Sequence, residues 1–392
     1  MNTRKLVQAM IRFSQAASDG EAVFFDLGRW VAGASIGDLW RLNAFAVADA
    51  LHLERIAVLT ACIKLVHAGL FELNWDFHCT ECNAVAGTHR HLKEATSQNH
   101  CPLCDIDFWN DLNGNVEVTF TPSPRLFAVP RRFLAKQGEA VRRLHAARQI
   151  RLPDVYVTGN DCLHVPLFRE VFETEALSLR ESLRIGQVCI MFTDIKGSTA
   201  IYDRLGDSVA YGLVRSHFEI LFHQIDANGG VIIKTIGDAV MASFTRPADG
   251  VRCALAIQKA CAEFNCRKDV RNEILVKVGV HSGSTIMVNL NNRLDYFGQT
   301  VNMAARVQAE ADGGEVVISE ALREDPETVR ALRGEVDNLS RRIVNLKGIG
   351  GSQAVYRLNL KHRTVEAGAG GSDLPAAPEP GLRLPVSAAR SS

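Results

Sequence analysis

Two carboxylates stand where short apolar runs end. Asp194 closes Val188-Cys-Ile-Met-Phe-Thr-Asp194 and is followed by Ile-Lys-Gly-Ser-Thr199, while Asp238 separates Val231-Ile-Ile-Lys-Thr-Ile236 from Ala239-Val-Met-Ala-Ser-Phe244. The first run reads as a strand that delivers an acid to its end, with a Gly-Ser-Thr turn opening a helix. The second and third runs read as a hairpin with Gly237-Asp238 at its tip. A hairpin tip beside a strand end brings two acids together, and such a pair suits a hard divalent cation shared with substrate phosphates. Asn302 and Arg306 lie four residues apart on a helix expected to begin near Thr300. They project from one face, where an amide can orient a ribose and a guanidinium can neutralise a phosphate.

A separate group consists of cysteines. Cys79-x-x-Cys82 and Cys101-x-x-Cys104, eighteen residues apart, put four soft thiolates within tetrahedral reach of one ion, the arrangement of a structural zinc ribbon. A closed Cys₄ site leaves no open coordination position, so its metal supports folding rather than catalysis. The functional alternative is a redox or zinc-responsive switch. His78, His89, His91 and His100 crowd the same stretch and could replace a cysteine as ligand. The other six cysteines lie in apolar or helical contexts as small buried hydrophobes.

Taken with their neighbours, the acids closely resemble the catalytic domain of class III nucleotidyl cyclases, the adenylate and guanylate cyclase family. The matching pieces are Phe192-Thr-Asp-Ile195, Lys234-Thr-Ile-Gly-Asp238, Val278-Gly-Val-His-Ser-Gly283, Phe297-Gly-Gln-Thr-Val-Asn-Met-Ala-Ala-Arg306 and Asn345-Leu-Lys-Gly348, in the family's order. The resemblance implies an α+β, ferredoxin-like βαββαβ core acting as a head-to-tail homodimer, with each site at the interface. It implies two Mg²⁺ or Mn²⁺ ions held by Asp194, Asp238 and the backbone carbonyl of Ile195. It also implies phosphate binding at the main chain of Gly197, Ser198 and Thr199, a ribose-orienting Asn302, a transition-state Arg306 and a Lys347 that grips the terminal phosphates, the last three coming from the partner. Ser284 departs from members that carry a phosphate-binding arginine there.

Lys234 and Asp295 match the family's purine-selecting pair. Lysine only donates and an ionised aspartate only accepts, so the two complement N1 and N6 of adenine and mismatch guanine. The expected substrate is ATP and the expected product cyclic AMP. Guanylate cyclase activity is the alternative, as is a nucleotide-sensing regulator without turnover that contacts DNA or another partner.

The elements that must position these groups follow from the rest of the chain. Its 392 residues, 47% of them hydrophobic, can bury more than one core. Formal charge is zero, so bulk electrostatics recruits neither nucleic acid nor an acidic membrane. The N-terminus shows no secretory pattern, and the most apolar window, Ile56 to Leu73, is broken by Lys64, His67 and Glu72, so the chain reads as soluble and cytoplasmic.

Residues 1–127 read as an N-terminal regulatory region, mainly helical. Residues 36–77 are winged-helix-like and 78–110 form the ribbon, closed by a hairpin edge at Asn113-Gly-Asn and Val116 to Phe120. Ten Lys or Arg against fourteen Asp or Glu over residues 1–128 disfavour nucleic-acid binding there and favour a dimerisation or sensing module with an unidentified partner. Residues 128–184 read as a linker: a basic amphipathic helix over 131–151, a strand-like piece from Asp154 to Val165, and a transducer-like helix from Phe168 to Leu183. The basic face is expected to pair with the acidic N-terminal part. Residues 185–360 form the catalytic domain, with helices expected at Ala200–Ala227 and Pro247–Asn265, and the Gly-, Ala- and Pro-rich 361–392 should be disordered.

Overall fold

Alternation along one strand, Ser182–Ile195, shows how the molecule is layered. Cys189 and Met191 point into one apolar core, and Ile190 and Phe192 into another. By the same period of two, Asp194 lies on the Ile190 and Phe192 side. The computed structural model describes residues 3–16, 21–172, 177–198, 203–204, 206–267, 270, 272–291 and 293–360. Thr199 and the tail from 361 onward lie outside the described residues.

The N-terminal part begins with helices α1 (Thr3–Ala16), α2 (Glu21–Gly33), α3 (Ile36–Leu39), α4 (Ala44–Leu51) and α5 (Arg55–His67). Local chemistry sets their starts: Ser35 and Asp38 form a reciprocal capping box on α3, and Asn43 accepts from the first amides of α4. Strands β1 (Phe71–His78), β2 (Val85–His89) and β5 (Val116–Pro122) make an antiparallel sheet in the order β2-β1-β5, while β3 (Gln98–Cys101) pairs with β4 (Ile106–Trp109). Helices α6 (Arg131–Ala146), α7 (Gly159–Leu163) and α8 (Pro166–Val171) follow.

The second part is an eight-stranded sheet. Its elements are β6 (Ser182–Ile195), α9 (Asp207–Ala227), β7 (Val231–Ile236), β8 (Ala239–Phe244), α10 (Pro247–Asn265), β9 (Val276–Leu290), β10 (Arg293–Phe297), α11 (Gln299–Ala309), β11 (Val316–Ser319), α12 (Glu320–Glu324), α13 (Pro326–Leu332), β12 (Val336–Val344) and β13 (Gln353–Leu360). Within it β9-β6-β8-β7 are antiparallel neighbours. With α9 and α10 as crossovers, this is the expected βαββαβ core.

Helices α9 and α10 cover one face, burying Leu221, Ile225, Val251 and Ile257 against Val240, Phe244, Val276 and Val280. The other face joins a core that runs from Leu6 and Met10 through Trp75, Phe120 and Phe168 to Met241, Met287, Tyr296 and Ala304. Residues 110–112 also bond to the start of β6, with Leu112 N–H donating to Arg184 O (2.8 Å) and Arg184 N–H to Asn110 O (3.1 Å). Side-chain carboxylates add to the junction: Ser97 N–H donates to Glu181 Oε2 at 2.5 Å, and Gly186 N–H on β6 donates to Asp111 Oδ1 at 3.3 Å.

Several elements differ from the sequence reading. Asn113-Gly114 does not make a hairpin from β4 to β5. Asp111 closes that loop locally, accepting from Asn113 N–H (2.8 Å), and β5 pairs instead with β1, where Val116, Val118 and Phe120 stand opposite Phe77, Trp75 and Leu73. The strand-like piece from Asp154 contains α7, started by a capping box of Thr158 and Asp161. Of the transducer-like helix expected from Phe168 to Leu183, residues 173–176 lie outside the described residues, and its C-terminal end is not helical: Ser182 to Ile185 are drawn into β6 by pairing with Thr285 to Val288, while α8 ends at Val171. The basic helix α6 has no buried residue, and among the described residues its ion pair is internal, Arg143 with Glu139. The helix expected from Ala200 is described from Asp207, residues 199–202 lying outside the described residues.

Gly279 on β9 determines how α11 lies. A Cβ there would fall 2.1 Å from the main-chain nitrogen of Gln308, closer than real Cβ contacts allow. The prediction is that Gly279→Ala pushes α11 off the sheet and lowers unfolding free energy by about 2 kcal/mol. Urea denaturation of the full chain measures it, and an unchanged midpoint would contradict the packing described.

Candidate active site

Asp194 is half-buried at the end of β6, in register with Lys277 on β9, and Lys277 Nζ donates to Asp194 Oδ2 at 2.5 Å. Asp238 follows Gly237 in the β7–β8 turn, and Gly237 has φ +64°, a left-handed conformation that glycine adopts without a Cβ clash. The Asp238 carboxylate accepts from Ile195 N–H (3.1 Å). That bond ties the hairpin tip to the main chain of the residue beside Asp194. The donor set, two carboxylates and the Ile195 carbonyl, is hard oxygen and fits Mg²⁺ or Mn²⁺.

Asp238 is held from behind as well. His217 on α9 is fully buried, and its Nε2–H donates to Asp238 O at 3.0 Å. Burial pushes the imidazole down to about 4, so it is neutral when it makes this bond. Neither Lys277 nor His217 was singled out from sequence. Both signals were faint: Lys277 is the one charge in the apolar run Val276 to Val280, and His217 interrupts the buried stripe of Ala210, Val214, Leu221 and Ile225.

Gly197 (φ +69°) and Ser198 follow β6 at the same end of the sheet. Lys234 and Asp295 form an ion pair, Nζ to Oδ2 2.5 Å, in which the carboxylate is buried and the lysine partly exposed. The other oxygen, Asp295 Oδ1, accepts from Tyr296 N–H at 2.8 Å. This pair is therefore assembled within one chain.

Asn302 and Arg306 are both exposed on α11, whose opposite face buries Ala304 and Val307. Lys347 is exposed in the turn between β12 and β13, next to Leu346, which is buried in a cluster with Val307. These three therefore occupy one region. Among the described residues, no hydrogen bond or ion pair joins them to Asp194 or Asp238.

The cysteines gather elsewhere. The sulfurs of Cys79, Cys82, Cys101 and Cys104 lie within 4.8 Å of one another. Cys82 and Cys101 are 3.8 Å apart, the separation expected across a tetrahedron with Zn–S near ~2.3 Å. Each knuckle turns through a left-handed residue just after its second cysteine, Asn83 (φ +59°) and Asp105 (φ +55°). The four thiols thus fit a metal ion. The neighbouring histidines are engaged otherwise: His78 Nε2 meets Glu117 at 2.9 Å and His100 Nδ1 meets Asp107 at 3.0 Å.

Residues 181–360 match the model of the adenylate and guanylate cyclase catalytic domain, and residues 4–182 match a family of unknown function, DUF5939. Residues 181–360 are a class III cyclase catalytic domain. Similar curated proteins include a putative adenylate cyclase 3 of Rhizobium meliloti, 34% identical over 145 residues, covering 37% of this chain and 24% of that protein. The adenylate cyclase of Lachancea kluyveri is 31% identical over 153 residues, covering 34% of this chain and 8% of that one. The chain thus spans a quarter or less of the length of these relatives. Among solved structures, the adenylyl cyclase CyaB from P. aeruginosa aligns with 22% identity and a TM-score of 0.38, covering 47% of this chain and 98% of that chain. No helix among the described residues is long and apolar enough to cross a membrane.

Three histidines, His164 and His217 buried and His281 half-buried, give the cyclase domain and its junction a pH signature. Burial pushes His164, His217 and His281 each down to about 4. Their unfolded forms titrate near ~6.5, so the unfolded chain binds more protons between those values. The stability they contribute is present above about pH 6.5 and lost as pH falls through about 4. Urea midpoints of wild type and His281→Asn should therefore converge as pH drops from 7 to 4; a constant gap would contradict a neutral His281.

Proposed function

We propose that the chain is a cytoplasmic adenylate cyclase that converts ATP to 3′,5′-cyclic AMP and pyrophosphate at sites shared between two copies. The observation that supports this reading is the bond from Ile195 N–H to Asp238, which brings the Asp238 carboxylate to the main chain next to Asp194 in a class III cyclase domain. Asp194, Asp238 and the Ile195 carbonyl would hold two Mg²⁺ or Mn²⁺ ions. When bound, such ions acidify the ribose 3′-hydroxyl and neutralise the triphosphate.

This chain's residues then do the positioning. The 3′-oxygen forms a bond to the α-phosphorus as the bond to pyrophosphate breaks, and the hydroxyl proton leaves to solvent. Main-chain N–H groups at Gly197 and Ser198, and at Thr199 outside the described residues, would bind phosphate oxygens. Lys234 donates to N1 of adenine and Asp295 accepts from N6, a pattern guanine mismatches. That complementarity favours adenylate over guanylate cyclase activity. Asn302 orients the ribose, Arg306 offsets charge at the α-phosphate and Lys347 grips the terminal phosphates. Exposed on α11 and the β12–β13 turn, and unconnected to the acid pair of their own chain, these three suit delivery to a partner's acids in a homodimer. An intact acid pair with Asn302 and Arg306 disfavours a sensor without turnover.

The N-terminal region is proposed as a regulatory module, residues 1–127, built around a structural Zn²⁺ at Cys79, Cys82, Cys101 and Cys104. Its stimulus or partner acts through residues 128–184 on the cyclase domain at 185–360.

Two experiments follow. Asp194→Ala and Arg306→Ala chains, each inactive alone, should on mixing regain about a quarter of the wild-type rate of cyclic AMP formation, because half the random dimers hold one intact site. No recovery would contradict the shared site. Second, Cys101→Ser should lose the zinc measured by metal analysis in wild type and lower the melting temperature, since structural zinc contributes folding energy. Equal zinc content in both proteins would contradict the assignment.

A further inference from the structure

A buried polar chain links the N-terminal part to the cyclase domain through side chains that the catalytic reading leaves unused. His164, at the end of α7, is buried, and its Nδ1 lies 2.8 Å from Asn160 O. A carbonyl can only accept, so Nδ1 carries the proton and Nε2 is the acceptor. Ser243 Oγ on β8 lies 3.0 Å from that Nε2 and must donate to it. The Tyr296 hydroxyl lies 3.4 Å from the same Ser243 Oγ. Arg169 on α8 completes the chain, with Nη2 3.5 Å from Tyr296 Oη, its guanidinium 6.0 Å from the ring centroid and Nε fixed to Leu163 O at 3.0 Å.

What this chain holds is Tyr296, which is 2% exposed. The main-chain N–H of Tyr296 fixes one oxygen of Asp295, whose other oxygen takes Lys234. A rigid Tyr296 therefore fixes the carboxylate that faces the purine. Beta strands transmit such a constraint well, because neighbouring residues share one ladder, here Tyr296 opposite Met287 and Asp295 opposite Val288.

We infer that His164 and Arg169, from the segment joining the N-terminal part to the cyclase domain, are positioning residues for base selection, acting through Ser243 and Tyr296 on Asp295. The inference rests on the reading of Lys234 and Asp295 as the adenine pair. It makes the α7–α8 segment a determinant of which nucleotide the site accepts.

The test uses full-length chains with Mn²⁺, measuring KM, kcat and the ratio of ATP to GTP use, and beside them competition of ATP and GTP for a fluorescent ATP analogue. Tyr296→Phe removes one oxygen and keeps the ring. It should raise KM for ATP about fivefold and cut the ATP to GTP preference by a similar factor, the size expected for one lost hydrogen bond, with kcat changed less than about twofold. His164→Leu should do the same, whereas His164→Gln, which keeps an acceptor toward Ser243, should restore most of the preference. Unchanged base preference in folded Tyr296→Phe and His164→Leu would overturn the inference, as would a fall in kcat and melting temperature with preference intact. A wild-type chain that prefers ATP in the competition but forms no cyclic AMP would sink the cyclase reading alone, and the competition arm would still decide this one.

Discussion

The bond from Ile195 N–H to the Asp238 carboxylate is the contact on which the catalytic half depends. It closes the gap between the end of β6 and the tip of the β7–β8 turn, two points separated by 43 residues of chain. Without it, each acid would be an ordinary turn residue. The bond needs both partners held: β6 is fixed by pairing to β8 and β9 on either side, and the tip is fixed by Gly237 in a left-handed conformation and by His217 from beneath. His217 makes this bond as a neutral imidazole, so burial of the histidine and placement of the acid are one arrangement.

Charge at the site is balanced within the chain. Lys277 pairs with Asp194 and Lys234 with Asp295, so neither acid relies on solvent alone for compensation. The positive groups on α11 and beside Leu346 have no such partner among the described residues. In the proposed homodimer, the half-buried carboxylates of one copy would meet the exposed cationic groups of the other, as a two-fold interface requires.

Much of this was legible in the sequence because it is local. Apolar runs ending in Asp194 and in Gly237-Asp238 specify strand ends and a turn without reference to the rest of the fold, and the four-residue spacing of Asn302 and Arg306 needs only a helix. The cysteine knuckles are local too. What escaped was decided at long range. Asn113-Gly114 carries a hairpin signature, yet β5 pairs with β1 because Val116, Val118 and Phe120 match Phe77, Trp75 and Leu73. A helix reaching Leu183 is plausible from pattern alone, but an unusually long β9 recruits Ser182 to Ile185 as strand. Lys277 and His217 acquire meaning only from the cross-strand register and from the helix laid over the hairpin. The shared core from Leu6 to Ala304 follows from α7 and α8 packing on the sheet, which no single segment announces.

The central claim is that Asp194 and Asp238 jointly hold the divalent ions that serve the nucleotide. Anomalous diffraction at the manganese edge, from crystals of the full chain grown with Mn²⁺ and a non-cyclising ATP analogue, addresses it directly. Two manganese peaks about 4 Å apart, both touching these carboxylates and the triphosphate, are the expected result. Manganese bound to the triphosphate alone, with Lys277 still on Asp194, would contradict it.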